Sequence, residues 1–200
     1  MDGKVTIEEH FALPETLGPG SAELHRRLQD FHGERIELMD RCGVAFAILS
    51  LNGPAVQAET ETAKAIDMAR RANDLLADEI GKRPDRLGGF AALPMQDPEA
   101  AIRELERAVV ELGLLGANVN GFSETVGATT QLYYDRPEYR PFWAAIEELE
   151  VPFYLHPRNP FFDDMRFFDD HPWLTYASWA YALETAMHAL RLMCGGLFDD

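Results

Sequence analysis

Apolar residues fall into short unbroken blocks along this chain, and between the blocks they return every three or four positions. The first block, VTIE at 5–8, reads as a strand. Over 22–41 the positions Leu24, Leu28, Ile36 and Met39 carry a helical period. Gly43 interrupts it, and VAFAILS at 44–50 is a second strand. A helix follows over 59–82 with Ala63, Ile66, Ala69, Leu75 and Leu76 turned inward, and Pro84 stops it. RLGGFAAL at 86–93 is strand-like despite its two glycines. Asp97 as N-cap and Pro98 at the first helical position open a helix reaching Leu112. LGANVN at 115–120 is a fourth strand, and 140–149 is a short helix containing Phe142, Trp143 and Ile146. VPFYLH at 151–156 is a fifth strand, and 177–193 is the helix after it.

Strands that are nearly all apolar, each followed by a helix, imply a parallel α/β sheet covered by helices. A doubly wound open sheet and a (β/α)8 TIM-type barrel both satisfy that alternation. The strand ends favour the barrel, whose functional side chains come from the C-terminal ends of several strands. Here those ends read Glu8 and His10, Ser50 and Asn52, Pro94 and Met95, Asn120, and His156 and Arg158. A dinucleotide fold loses its main support because no Gly-x-Gly-x-x-Gly follows the first strand. A full barrel has eight units, and the sequence accounts for the first five before GGLFDD. The expectation is one barrel domain over 1–200, incomplete at its C-terminal side by about 100 residues.

Composition narrows the function classes. Hydrophobic residues make up 46% of the chain, enough for a packed core. A formal net charge of −16 argues against nucleic acid or an anionic membrane as partner. The first apolar run is too short and too acidic for a signal peptide. The greasiest stretch, 173–193, is interrupted by Glu184, His188 and Arg191, so it reads as a buried helix of a soluble protein and not as a membrane span, and a cytoplasmic location is expected. Cys42 and Cys194 read as a free, buried pair in a reducing compartment.

The chemistry concentrates at the strand ends. Side chains alternate across a strand, so Glu8 and His10 share a face and Glu9 points the other way. A carboxylate and an imidazole converging in a barrel mouth suit a divalent ion such as Zn²⁺ or Mn²⁺. By itself, a Glu-x-His pair at a strand end is more often a solvated terminus. His156, at the end of the most apolar strand, makes convergence with Glu8 and His10 the better explanation. Asn120 is a substrate contact or a plain strand-end turn. Arg158 is a carboxylate-binding fork or the partner of Asp163 or Asp164. His188 reads as an i,i+4 partner of Glu184. His25 and His32 take no role, and His171 has none that its loop specifies. Phe161, Phe162, Phe167, Phe168 and Trp173 wall a pocket or form a subunit interface.

Several blocks together resemble a known group. KVTIEEHFALPE, RRANDLLADEIGKRPDRLGGFAALPMQDP, LGANVNGFS, YYDRPEYRPFW and VPFYLHPRNP are similar to the amidohydrolase-related aromatic acid decarboxylases, above all the γ-resorcylate (2,6-dihydroxybenzoate) type. HPWLTYASWAYALETAMHALRLMCGGLFD extends the likeness to the end of the chain. Salicylate and 2,3-dihydroxybenzoate decarboxylases of the same family tend to carry alanine where this chain has His10. The resemblance implies a distorted barrel with one divalent ion, Mn²⁺ or Zn²⁺, held by Glu8, His10 and His156. It implies Asn120 as a substrate contact and homo-oligomeric assembly of the full-length protein. The implied reaction is non-oxidative, reversible decarboxylation of a hydroxybenzoate, with a small aromatic acid as the partner. The aspartate implied as proton donor falls beyond Asp200, so no catalytic acid is assigned within the chain, and a supporting histidine near strand six is likewise not in it. The loop after Pro14 is several residues shorter than the family pattern and lacks its aromatic. A metal-dependent hydrolase of the same superfamily and an inactive truncated fragment stand as the alternatives.

Overall fold

The computed structural model describes residues 3–125 and 131–199, apart from the side chains of 162–164. Five strands are present among them: β1 (Lys4–Phe11), β2 (Val44–Leu51), β3 (Leu87–Gly89), β4 (Ala117–Val119) and β5 (Phe153–Leu155). Six helices accompany them: α1 (Ala22–Leu28), α2 (Glu34–Cys42), α3 (Thr62–Lys82), α4 (Pro98–Glu106), α5 (Arg140–Glu148) and α6 (Ala180–Cys194). β1, β2 and β3 pair in that order, all parallel, and β4 pairs parallel with β5. A parallel bridge between Ala91 and Ala117 joins the two sets, supported by the Asn118 N–H donating to the Ala91 carbonyl at 2.9 Å. The order is therefore sequential from β1 to β5. A doubly wound sheet reverses its order at a switch point, so the observed order is that of a (β/α)8 barrel wall.

The core lies between this wall and the helices. Ala47 and Leu49 of β2 and Leu87 of β3 face Ala65, Ala69, Ala72 and Leu76 of α3, all buried. Alanines let the helix approach the sheet closely, and crowding on both faces accounts for the glycines of β3. A Cβ on Gly89 would lie 2.5 Å from the Leu76 side chain, and one on Gly88 would lie 2.8 Å from Phe46 and Leu115. Each glycine faces a different crowded layer, and a side chain at either would push the wall apart.

Three readings of the chain are corrected. The helix expected over 22–41 is two helices. Asp30 breaks it by accepting the backbone N–H groups of Gly33 at 2.8 Å and Arg35 at 3.0 Å, a local bond that competes with the helix. Leu24 is consequently exposed while Leu28, Ile36 and Met39 are buried. In α3 the buried face is Ala65, Ala69, Ala72, Asn73 and Leu76, and Ala63 is exposed because it lies off that helical stripe. Cys42 and Cys194 are both free and both exposed, each ending its helix where the chain turns to solvent. Among the described residues no helix is long and apolar enough to cross a membrane.

Candidate metal centre

The C-terminal ends of β1 and β5 hold the chemistry. These strands do not pair, and they meet only through side chains projecting into the wall's concave face. Glu8, His10 and His156 each offer a ligand atom, and all these atoms lie within 4.8 Å of one another. The two imidazoles point their Nε2 atoms at each other at 3.2 Å, and His156 Nε2 lies 3.5 Å from Glu8 Oε1. Glu9 faces the opposite way, 3.5 Å from the Arg35 guanidinium, so the alternation along β1 holds through its last residues.

Two of the three candidate ligands, His10 and Glu8, are held from outside the cluster, whereas His156 Nδ1 is buried without a hydrogen-bond partner. Ser50 is the register partner of His10 on β2, and its Oγ lies 3.2 Å from His10 Nδ1. Arg35 of α2 donates to the His10 carbonyl at 2.6 Å, fixing the backbone from which the ring projects. The Tyr154 hydroxyl donates to Glu8 Oε2. Burial and the adjacent carboxylate push that phenol up to about 12, so it remains a donor. Burial pushes both histidines below the ordinary imidazole range, His156 further because His10 stands beside it, while Glu8 partly opposes the shift. Both rings are therefore neutral near pH 7, the state in which imidazole binds metal. One carboxylate and two neutral imidazole nitrogens converging at an open strand end are the donor set of a divalent transition-metal site.

Asn120 follows β4 and is 3% exposed. Its N–H donates to Gln57 Oε1 at 3.1 Å and its Nδ2 to the Leu51 carbonyl at 3.5 Å, whereas its Oδ1 has no hydrogen-bond partner. A buried amide oxygen left unpaired suits a ligand contact. Gln57, which the sequence reading passed over, ties the ends of three units by also donating to the Leu93 carbonyl at 2.8 Å and accepting the Glu124 N–H at 2.8 Å. Arg158 donates to the Phe122 carbonyl at 2.8 Å and to Glu124 Oε1 at 2.6 Å, and its guanidinium lies 3.8 Å above the Phe122 ring centroid. The side chains of Asp163 and Asp164, expected as its alternative partners, lie outside the described residues, as does that of Phe162.

The other candidates have structural employment. His188 is fully buried and accepts the Tyr134 N–H at 3.3 Å, while Glu184 accepts the Tyr133 hydroxyl at 2.7 Å. Both residues thus anchor the tyrosine loop to α6, which replaces the expected i,i+4 pairing. His25 meets the Gly18 carbonyl at 2.9 Å, His32 meets Glu79 at 2.7 Å, and His171 packs edge-on against Trp173. The aromatic cluster divides: Phe161 packs on Phe122 and Phe168 is buried, but Phe167 and Trp173 are exposed. Tyr154, which contacts Glu8, has no place among the sequence-based candidates, whereas Ser50 appears there only as a strand end. Tyr154 carried a signal in its spacing, two residues before His156 on one strand face.

A family model described as Amidohydrolase matches residues 7–200. The gamma-resorcylate decarboxylase of Rhodococcus jostii is 58% identical over 211 residues, covering 100% of this chain and 64% of that protein. A crystal structure of 2,6-dihydroxybenzoate decarboxylase complexed with 2,6-dihydroxybenzoate superposes with a TM-score of 0.96 at 58% identity, over 100% of this chain and 64% of the other. A dihydroxybenzoic acid decarboxylase from Polaromonas sp., solved with bound manganese and the inhibitor 2-nitroresorcinol, gives a TM-score of 0.96 at 54% identity, over 100% of this chain and 62% of the other. The chain thus spans a little under two thirds of the length of these relatives.

Proposed function

The chain belongs to the amidohydrolase family, and on that premise we propose that it forms the N-terminal part of a metal-dependent, non-oxidative decarboxylase acting on a hydroxybenzoate such as γ-resorcylate. The observation that carries the proposal is the Glu8–His10–His156 cluster, whose ligand atoms lie within 4.8 Å of one another. These residues would hold one divalent ion, Mn²⁺ or Zn²⁺. Manganese has the stronger support, being bound in the Polaromonas sp. relative. Such an ion supplies a template and a Lewis acid for an oxygen-rich aromatic acid.

The chain's own residues set the geometry of the reaction. Asn120 presents its unpaired Oδ1 to a phenolic hydroxyl of the substrate. Arg158, held by Glu124 and Phe122, bounds the mouth beside His156 and is assigned to the substrate side by position. In the reaction the ring carbon bearing the carboxylate takes a proton. The C–C bond then breaks, its electron pair restores the aromatic ring, and CO₂ leaves. The proton donor is assigned, through the family resemblance, to an aspartate beyond Asp200, with its carboxyl held protonated until it acts. Cytoplasmic location, homo-oligomeric assembly and a single barrel domain complete the proposal. The free cysteines support the first and the sequential parallel strand order the last, while assembly is carried over from the family resemblance.

The test is metal content and γ-resorcylate consumption measured on the same purified samples of wild type and His156→Ala. Near-stoichiometric manganese or zinc in the wild type, lost in the variant, is the expected result, and CO₂ release should follow the metal only in a protein that also carries the proton donor. A folded wild type that takes up neither ion overturns the proposal.

A further inference from the structure

The cluster has a feature that its ligand set alone does not require. Glu8 is a long side chain on a strand end, 44% exposed, and free rotation would carry its carboxylate away from the histidines for much of the time. Tyr154 prevents this. It sits on β5 two residues before His156, so both side chains leave the strand on one face. Its ring is stacked on Phe90 of the wall, centroids 6.3 Å apart and planes within 20°. From that fixed ring the hydroxyl reaches across to β1 and donates to Glu8 Oε2, leaving Oε1 on the side of His156 at 3.5 Å. Ser50 acts comparably on His10. Its Oγ occupies Nδ1 at 3.2 Å, which leaves Nε2 as the nitrogen turned to His156.

We infer that Tyr154 is the principal positioning residue of the metal centre, orienting one oxygen of Glu8 toward the ion through a hydrogen bond to the other, with Ser50 setting the ring of His10 in the same way. The inference rests on the reading of Glu8, His10 and His156 as ligands. Groups that orient ligands typically change metal affinity by about 10- to 100-fold when removed. Here the effect is concentrated on a carboxylate for which Tyr154 is the side-chain donor among the described residues.

The experiment is titration of the metal-free protein with Mn²⁺, followed by calorimetry and by the electron paramagnetic resonance signal of the ion. Wild type, Tyr154→Phe, Ser50→Ala and His156→Ala are compared, and the thermal midpoint of each metal-free protein is recorded. Tyr154→Phe keeps the ring on Phe90 and removes only the hydroxyl. The expected result is about 10-fold or greater weakening of Mn²⁺ binding, an altered spectrum of the bound ion, and an unchanged metal-free midpoint. In a Glu8→Asp background, where the shortened acid no longer reaches the phenol, Tyr154→Phe should cost nothing further, a coupling that loss of packing would not produce. Ser50→Ala should weaken binding independently of Glu8. If wild type binds Mn²⁺, His156→Ala abolishes binding and Tyr154→Phe binds within about twofold of wild type, the positioning role is overturned and the metal reading survives. A wild type that binds no Mn²⁺ overturns both.

Discussion

The ring of His10 meets the ring of His156 edge-on, with centroids 4.8 Å apart and planes at 89°. The Nε2 atoms of the two rings face each other at 3.2 Å. Two imidazoles in this position cannot both carry a proton between them. Burial lowers the proton affinity of each, so the arrangement favours neutral rings whose lone pairs converge. A neutral pair can share one Nε2 proton as a hydrogen bond, and a divalent cation placed between the rings would take both lone pairs instead.

Metal should therefore stabilise the fold. At an Mn²⁺ concentration about 100 times Kd, wild type is expected to gain about 2.7 kcal/mol of unfolding free energy, reversed by a chelator. His10→Ala and His156→Ala should show no such gain. Differential scanning calorimetry with and without Mn²⁺ measures this.

Gly53 lies against Asn120, and a Cβ there would enter the space of Asn120 Oδ1 and Cγ. Gly53→Ala should displace the amide and weaken binding of a hydroxybenzoate about 10-fold, the scale of a lost hydrogen bond to a buried group. Mn²⁺ affinity should be unchanged because no ligand moves. Parallel titrations with the ion and with 2-nitroresorcinol separate the two effects.

Asn73 joins α3 to the segment after β3. Its Nδ2 donates to the Ala92 carbonyl at 2.9 Å and to Glu104 Oε1 at 2.7 Å, and its Oδ1 accepts the Ala92 N–H at 2.8 Å. Asn73→Ala strands a buried N–H and weakens the setting of a nearly buried carboxylate. A loss of about 3 kcal/mol in urea unfolding is expected, and a loss below about 1 kcal/mol would show that water replaces the amide.

His188 is pushed down to about 4, chiefly by burial, with Asp135 opposing and Arg191 adding to the shift. The unfolded chain then binds more protons than the folded one between the ordinary imidazole value, about 6.5, and the depressed value. Stability from this residue is complete above the unfolded value and falls as the pH drops toward the folded one. By pH 5 the loss is about 2 kcal/mol. His188→Gln keeps an acceptor for the Tyr134 N–H and removes the titration. Its unfolding free energy should change less between pH 7 and pH 5 than that of wild type by about that amount.

Much of the architecture was legible because its causes are local. The alternation of apolar blocks with helical periods yielded all five strands, and Asp97 with Pro98 marked the start of α4, where the Asp97 side chain accepts the Ala100 N–H. The interruption at Asp30 was not legible as a break, since Asp at that position fits a helix as well as a turn until its backbone partners are known. His188 was misread for a related reason. A histidine four residues after a glutamate forms a pair on an isolated helix, but here α6 is covered by the tyrosine loop, which takes both side chains.

For the site, the sequence by itself determined which residues share a face. Period-two alternation sets Glu8 with His10 and Tyr154 with His156, and although the register of β1 shifts between Thr6 and Glu9, Glu9 and His10 pair in step with Leu49 and Ser50. What only the tertiary structure decided is which strands stand opposite each other. That depends on sequential parallel pairing curving β1 toward β5, and it brings Tyr154 to Glu8 and His156 to His10 across 146 residues of chain. No local pattern encodes that distance, since it is closed by the packing of α3 and its alanines against the wall and by the summed twist of every strand between.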